Sequence, residues 1–154
     1  MLQLIFKILI PVFRPIVMKI MIDEIRVLGD RTRLRISPKT SMMNTLFNTN
    51  SGCIEVGDYS FTGHNVSLIT GTHNSESLLY KRMTDFPSTG RDIIIGKGVW
   101  IGSNAIILGP CKIGDHSVIG AGSIVLPNSN IPRGSVAVGV PAKVIRVINI
   151  PFDE

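Results

Sequence analysis

A chain of 154 residues fits one domain, and its 44% hydrophobic content suits a packed core. The net charge of +5 is uneven: residues 1–35 hold seven Lys/Arg and three Asp/Glu, whereas residues 36–154 hold nine and eight. That excludes a nucleic-acid track along the body, which needs basic residues in register, and two cysteines, Cys53 and Cys111, make neither a disulfide framework nor a CxxC metal pair.

The first stretch, MLQLIFKILIPVFRPIVMKIMIDEI, has apolar residues at 2, 5, 6, 9, 10, 13, 16, 17, 20 and 21, with Gln3, Lys7 and Arg14 on the other side. This is helical spacing, interrupted by Pro11 and Pro15, each of which removes a backbone donor. No small-residue cleavage site follows, so a signal peptide is not expected. Cations and prolines argue against a spanning helix. Residues 1–24 are read as an amphipathic segment. It either packs on the base of the domain or between subunits, or lies in the headgroup layer of an anionic membrane. Residues 25–154 form the domain proper, expected in a reducing cytoplasm and peripheral to the inner membrane face if the segment binds lipid.

From Leu28 onward a six-residue beat appears. It is degraded at first: Leu28–Gly29 is followed by Leu34, and Ile36 by Met42, with an offset between them, as terminal repeats that cap a stack often are. It then runs clean through Val56–Gly57, Thr62–Gly63 and Leu68. Between His73 and Ile93 it stops, and the polar stretch 74–92, with Pro87 and Gly90, reads as an excursion loop of the kind that carries function. It resumes as Ile95, Ile101, Ile107, Ile113, Ile119, Val125, Ile131 and Ala137. Four residues after each beat stands a small or medium residue, from Val99 and Ala105 to Ser135 and Pro141. Neither a helix nor a half-buried strand has this period; a parallel β-helix does, with one buried aliphatic per short strand, a glycine for the turn and a small corner. The tail after Pro141 is expected to add one strand across the last coil.

Together, the repeat, GTHN at the loop entrance, VWIG at its exit and the closing GVPAKVIR resemble the hexapeptide-repeat acyltransferases over residues 28–148. The likeness is nearest to the branch holding maltose and galactoside O-acetyltransferases and the sugar acetyltransferases of polysaccharide synthesis. It implies an all-β, left-handed parallel β-helix with three hexads per turn, assembled as a homotrimer with active sites between neighbouring chains. The implied activity is transfer of acetyl from acetyl-CoA to a sugar hydroxyl, with no metal required. His73 matches the family's general base. Ser103, just after the WIG motif, supplies an oxyanion donor through its amide or hydroxyl. Trp100 walls the acceptor groove, or merely covers the corner where the loop rejoins, and Asn44 contacts the acceptor, although one residue is deleted between it and His73 and Asn48 and Asn50 stand nearby. Ala121 contacts the pantetheine arm. Lys143 and Arg146 meet the phosphates, unless they are only a solvated charged strand.

Direct transfer is expected, since no serine or cysteine nucleophile is indicated. His64 and His116 fall at turn positions and read as surface residues. A zinc site made from the three histidines lacks the close pair such a site needs. A serine acetyltransferase would carry a large helical N-terminal domain, which the stretch ahead of the repeats is too short to supply. Two alternatives stay open: an N-acetyltransferase acting on a nucleotide-linked amino sugar, and a β-helix scaffold without catalysis.

Overall fold

The computed structural model describes residues 9–17 and 24–150. A helix, α1, covers residues 9–17, all of them exposed. The amphipathic reading of 1–24 otherwise falls outside the described residues.

The rest is a coil of short strands. The first turn comprises β1 (Arg26–Leu28), a 3-10 turn at Arg31–Arg33, β2 (Leu34–Ile36) and Ser41, which bridges to Phe61. The second holds β3 (Leu46–Asn48), β4 (Ile54–Val56) and β5 (Phe61–Thr62). The third holds β6 (Ser67–Ile69), β7 (Ile93–Ile95) and β8 (Trp100–Ile101), and between its first two strands the excursion loop carries a short helix, α2 (Leu79–Thr84). The fourth and fifth are β9 (Ile106–Leu108), β10 (Cys111–Ile113) and β11 (Val118–Ile119), then β12 (Ile124–Val125), β13 (Ser129–Ile131) and β14 (Ser135–Val138). Finally β15 (Lys143–Val147) runs antiparallel to β14, the extra strand expected of the tail.

Equivalent strands stack into three five-stranded sheets: β1-β3-β6-β9-β12, β2-β4-β7-β10-β13 and β5-β8-β11-β14-β15. Apart from β14–β15, the pairings are parallel. Register follows the beat. Ile95 pairs with Ile113 and Ile113 with Ile131, each partner three hexads further along the chain. Val56 pairs with Ile95, so the excursion stretches that turn to more than twice the regular length. The lower turns also overshoot three hexads slightly, as in Ile36↔Val56 and Phe47↔Leu68, which accounts for the offset in the early repeats.

All eight aliphatics from Ile95 to Ala137 are buried in a single core that also takes in Phe47, Leu68 and Ile93. Each large one contributes roughly 1.5–3 kcal/mol through burial. Of the small residues four places on, Val99, Ala105, Cys111, Ser117, Ser123 and Ser135 are buried, while Pro141 is exposed where the coil ends.

The glycines work differently from expectation. Apart from Gly29 at the base (φ 101°), the left-handed residues that turn the second and third corners are not the glycines after the beat. They are Tyr59, Gly98, His116 and Gly134 in one column, and Asn44, Asn65, Asn104 and Gly122 in another. The glycine after the beat is required by close approach instead: a Cβ on Gly102 would lie 2.5 Å from the Ala121 nitrogen one turn above.

Candidate active site

The three corners of the prism separate the three histidines. His73 stands at the first corner, between the first and second sheets. His116 turns the second corner at φ 58°, and His64 begins the third. No cluster of three His, Cys, Asp or Glu side chains suited to a metal occurs among the described residues.

At the first corner, His73 directly precedes the excursion loop and is exposed. Its ring meets Phe86 edge-on, with centroids 5.8 Å apart. It borders a cleft of about 360 Å³ lined also by Asn48, Asn50, Ser51, Gly71 and Thr72. The wall of this cleft is tightly bonded. Asn48 Oδ1 accepts from the amides of Asn50 (3.1 Å) and Gly71 (3.2 Å), the Ser51 amide donates to Thr70 Oγ1 (3.0 Å), and Arg91 Nε donates to the Thr70 carbonyl (2.7 Å). The buried Ser51 hydroxyl has no partner among the described residues. On its other side His73 meets a second, shallower groove with Leu79, Arg82 and Met83 of the loop.

The loop folds on Asp85. Its carboxylate accepts from the Ser77 hydroxyl (2.5 Å) and Asn74 Nδ2 (3.0 Å), while its carbonyl accepts from the Asn74 amide (2.9 Å). The Ser77 hydroxyl, and then the Asn74 amide, hold the Asp85 carboxyl below its ordinary range. Arg82 clamps the same turn by donating to the carbonyls of Ser77 and Ser75. Asp85 was not foreseen from the sequence. The only signal was its place in a polar stretch, which any surface loop shares.

The third corner collects three of the other candidates, Asn44, Ser103 and Ala121, in one column. From the base upward stand Asn44, then His64–Asn65, Ser103–Asn104 and Ala121–Gly122, successive equivalents in the stacked turns. Asn44 does not line the His73 cleft; within the chain that place belongs to Asn48 and Asn50. Instead Asn44 has a left-handed backbone, and its Nδ2 donates to Asn65 Oδ1 at 2.7 Å.

Ser103 Oγ accepts from the His64 amide one turn below (3.1 Å). One turn above stands Ala121, which has no side-chain acceptor, and the Ser103 amide makes no hydrogen bond among the described residues. An exposed methyl thus leaves a backbone donor free directly beneath it.

Trp100 lies on the third sheet, paired with Phe61 and Val118. Its ring stacks on Phe61, with centroids 5.9 Å apart and 14° between planes. The loop rejoins at β7 in the second sheet, so Trp100 does not cover that junction. Lys143 and Arg146 are exposed on β15, opposite Val138 and Val136 at the upper end of the same sheet.

Comparison with known proteins supports this reading of the architecture. The bacterial transferase hexapeptide family (six repeats) matches residues 92–135. Galactoside O-acetyltransferase of Escherichia coli (strain K12) is 45% identical over 98 residues, covering 62% of this chain and 45% of that protein. The chain therefore spans under half the length of that relative. Among solved structures, a maltose O-acetyltransferase from Clostridium difficile 630 is 32% identical with a TM-score of 0.57, over 82% of this chain and 68% of that one. A hexapeptide-repeat acetyltransferase from Vibrio cholerae O1 biovar eltor, complexed with acetyl coenzyme A, has a TM-score of 0.68 at 25% identity, over 82% and 66%. With its coiled repeat, its loop histidine and these relatives, the chain belongs to the hexapeptide-repeat acyltransferases.

Proposed function

We propose that the protein transfers an acetyl group from acetyl-CoA to a sugar hydroxyl, in a site made by two chains of a homotrimer. The observation that carries this is the placement of two half-sites on the two edges of one sheet. The His73 corner borders the first sheet on one side, and the Ser103–Ala121 column borders it on the other. They sit at matching heights, since His73 follows β6 and Ser103 follows β8 of the same turn. The sheet between them turns Leu46, Ile69, Ile106, Leu108, Ile124 and Leu126 outward, an apolar face that supports burial against copies of itself. A threefold axis in front of that face, parallel to the prism, leaves heights unchanged and brings the His73 edge of one chain to the Ser103 edge of the next.

In such a site His73 takes the proton of the acceptor hydroxyl as that oxygen attacks the thioester carbonyl. The Ser103 amide donates to the oxyanion of the tetrahedral intermediate, which collapses to the acetyl ester. The imidazolium returns its proton to the departing thiolate. Transfer is direct, without an acyl-enzyme. The pantetheine arm runs up the third corner past Ala121 toward Lys143 and Arg146, which bind its phosphates. Trp100 walls the acceptor side, and Asn44, lower in the same column, contacts the sugar, with Asn48 and Asn50 of the His73 cleft alongside it.

Incubation with labelled acetyl-CoA and a panel of sugars, amino sugars and nucleotide-linked amino sugars tests the reading. The expected result is an ester on a sugar hydroxyl, with His73→Ala slowing coenzyme A release by about 10²–10⁴-fold while the protein stays folded. An amide product on an amino sugar would transfer the proposal to N-acetylation. Unchanged turnover in His73→Ala would remove the base. No thermal stabilisation by acetyl-CoA would leave only a scaffold.

A further inference from the structure

We propose that the N-terminal end of the prism is a docking face for an anionic lipid surface, made of α1 and two exposed arginines of the first turn, Arg26 and Arg31. Helix α1 is apolar nearly all round, its only charged residue being Arg14. Leu9, Ile10, Val12, Phe13, Ile16 and Val17 are each 43–57% exposed. A helix of this composition needs an apolar environment. Its nine described residues span about 14 Å, and no helix among the described residues is long and apolar enough to span a membrane. It can lie within the interface.

Charge says which surface covers it. Residues 1–35 carry a net +4, nearly all of the chain's +5. Arg26 lies on β1, the edge strand of the first sheet, and Arg31 on the 3-10 turn of the same terminal coil. Both are exposed and neither forms an ion pair among the described residues, whereas Arg33, Arg35 and Lys39 each pair with a carboxylate. Only six residues stand between Val17 and Glu24 in the sequence, so Val17 stays within about 25 Å of Glu24, at this basic end. An apolar element tethered near exposed cations matches an acyl and headgroup boundary rich in negative charge better than it matches the mixed surface of a second copy. Arginines on an edge strand also deter strand pairing, and that role alone would leave lipid unbound. If three chains pack with parallel axes, three such faces point the same way and bind by avidity. The single-chain face depends neither on that nor on the acyl-transfer reading.

The test is flotation of the full chain with phosphatidylcholine vesicles, pure or containing about 30 mol % phosphatidylglycerol. The expected result is recovery with the anionic vesicles at least about tenfold above that with neutral ones, falling as salt is raised. Phe13→Glu/Ile16→Glu and Arg26→Glu/Arg31→Glu should each lose most of that recovery. Their melting temperatures should match the parent, because these side chains lie outside the core. Absence of flotation on anionic vesicles, equal recovery on neutral ones, or full recovery of both variants would overturn the proposal. So would a Phe13→Glu/Ile16→Glu chain that sediments as a smaller species while the parent ignores lipid, since the helix would then cover a second copy.

Discussion

At the residue scale, one methyl decides whether a backbone donor is available. The His64 amide is satisfied by Ser103 Oγ from the turn above, and the Lys97 amide by Asp115 Oδ1 in the same way (2.8 Å). Ala121 breaks that ladder over Ser103. Ala121→Ser should restore it and tie up the Ser103 amide, lowering kcat by about 10–100-fold with the fold intact. A rise confined to KM for acetyl-CoA would instead show that only the pantetheine path had been obstructed. Cys111 gives a second test. Burial pushes its thiol up to about 12, so it stays protonated at neutral pH. Iodoacetamide at neutral pH should label it only after unfolding, and rapid labelling of the native chain would show the corner to be open.

At the scale of elements, coil and loop are held by different forces. A coil strand depends on its buried aliphatic: Ile113→Ala should cost about 2–5 kcal/mol in chemical denaturation, because neighbours fixed by parallel pairing above and below cannot collapse into the space. The excursion depends on the polar knot at Asp85. Because the folded carboxyl is held below its ordinary range, its contribution is complete above the unfolded pKa and is lost as pH falls through the lowered one. Hydrogen exchange across residues 74–85 should therefore quicken as pH drops below about 4, after correction for intrinsic rates. Asp85→Ala should show the same loosening at neutral pH, with trypsin cutting at Lys81 or Arg82 while the coil melts as before. A loop still protected in that variant would mean that it is held by its apolar side chains instead.

For the whole molecule, the decisive feature is that one chain keeps His73 and Ser103 on opposite edges of a sheet. Mixed trimers test this directly. His73→Ala and Ala121→Arg chains should each be inactive alone. Refolded together at equal ratio, they should recover activity in about one quarter of the interfaces, where an intact histidine edge meets an intact third corner. No recovery would place the two groups in one subunit's site. Ile106→Glu on the outward face of the first sheet should yield folded monomers without turnover, as a buried charge cannot be matched by its own symmetry copies.

The six-residue beat was enough to read the parallel β-helix, its eight buried aliphatics, the exit of the loop after His73 and the closing strand. The reason is that each unit buries one residue in a common core, so spacing along the chain maps directly onto spacing in the stack. Lower turns longer than three hexads break that map, so the beat did not show that Asn48 and Asn50 line the His73 cleft while Asn44 stands in the third-corner column. Corner glycines were legible as glycines, but their cause, a backbone one turn away, belongs to the stack. The beat also stacks Ala121 over Ser103, three hexads apart, whereas Asp85 as the knot of the loop and the Asn48 bonds that wall the His73 cleft were decided by tertiary structure alone. Both depend on which groups a fold brings within about 3 Å, and no periodicity encodes that.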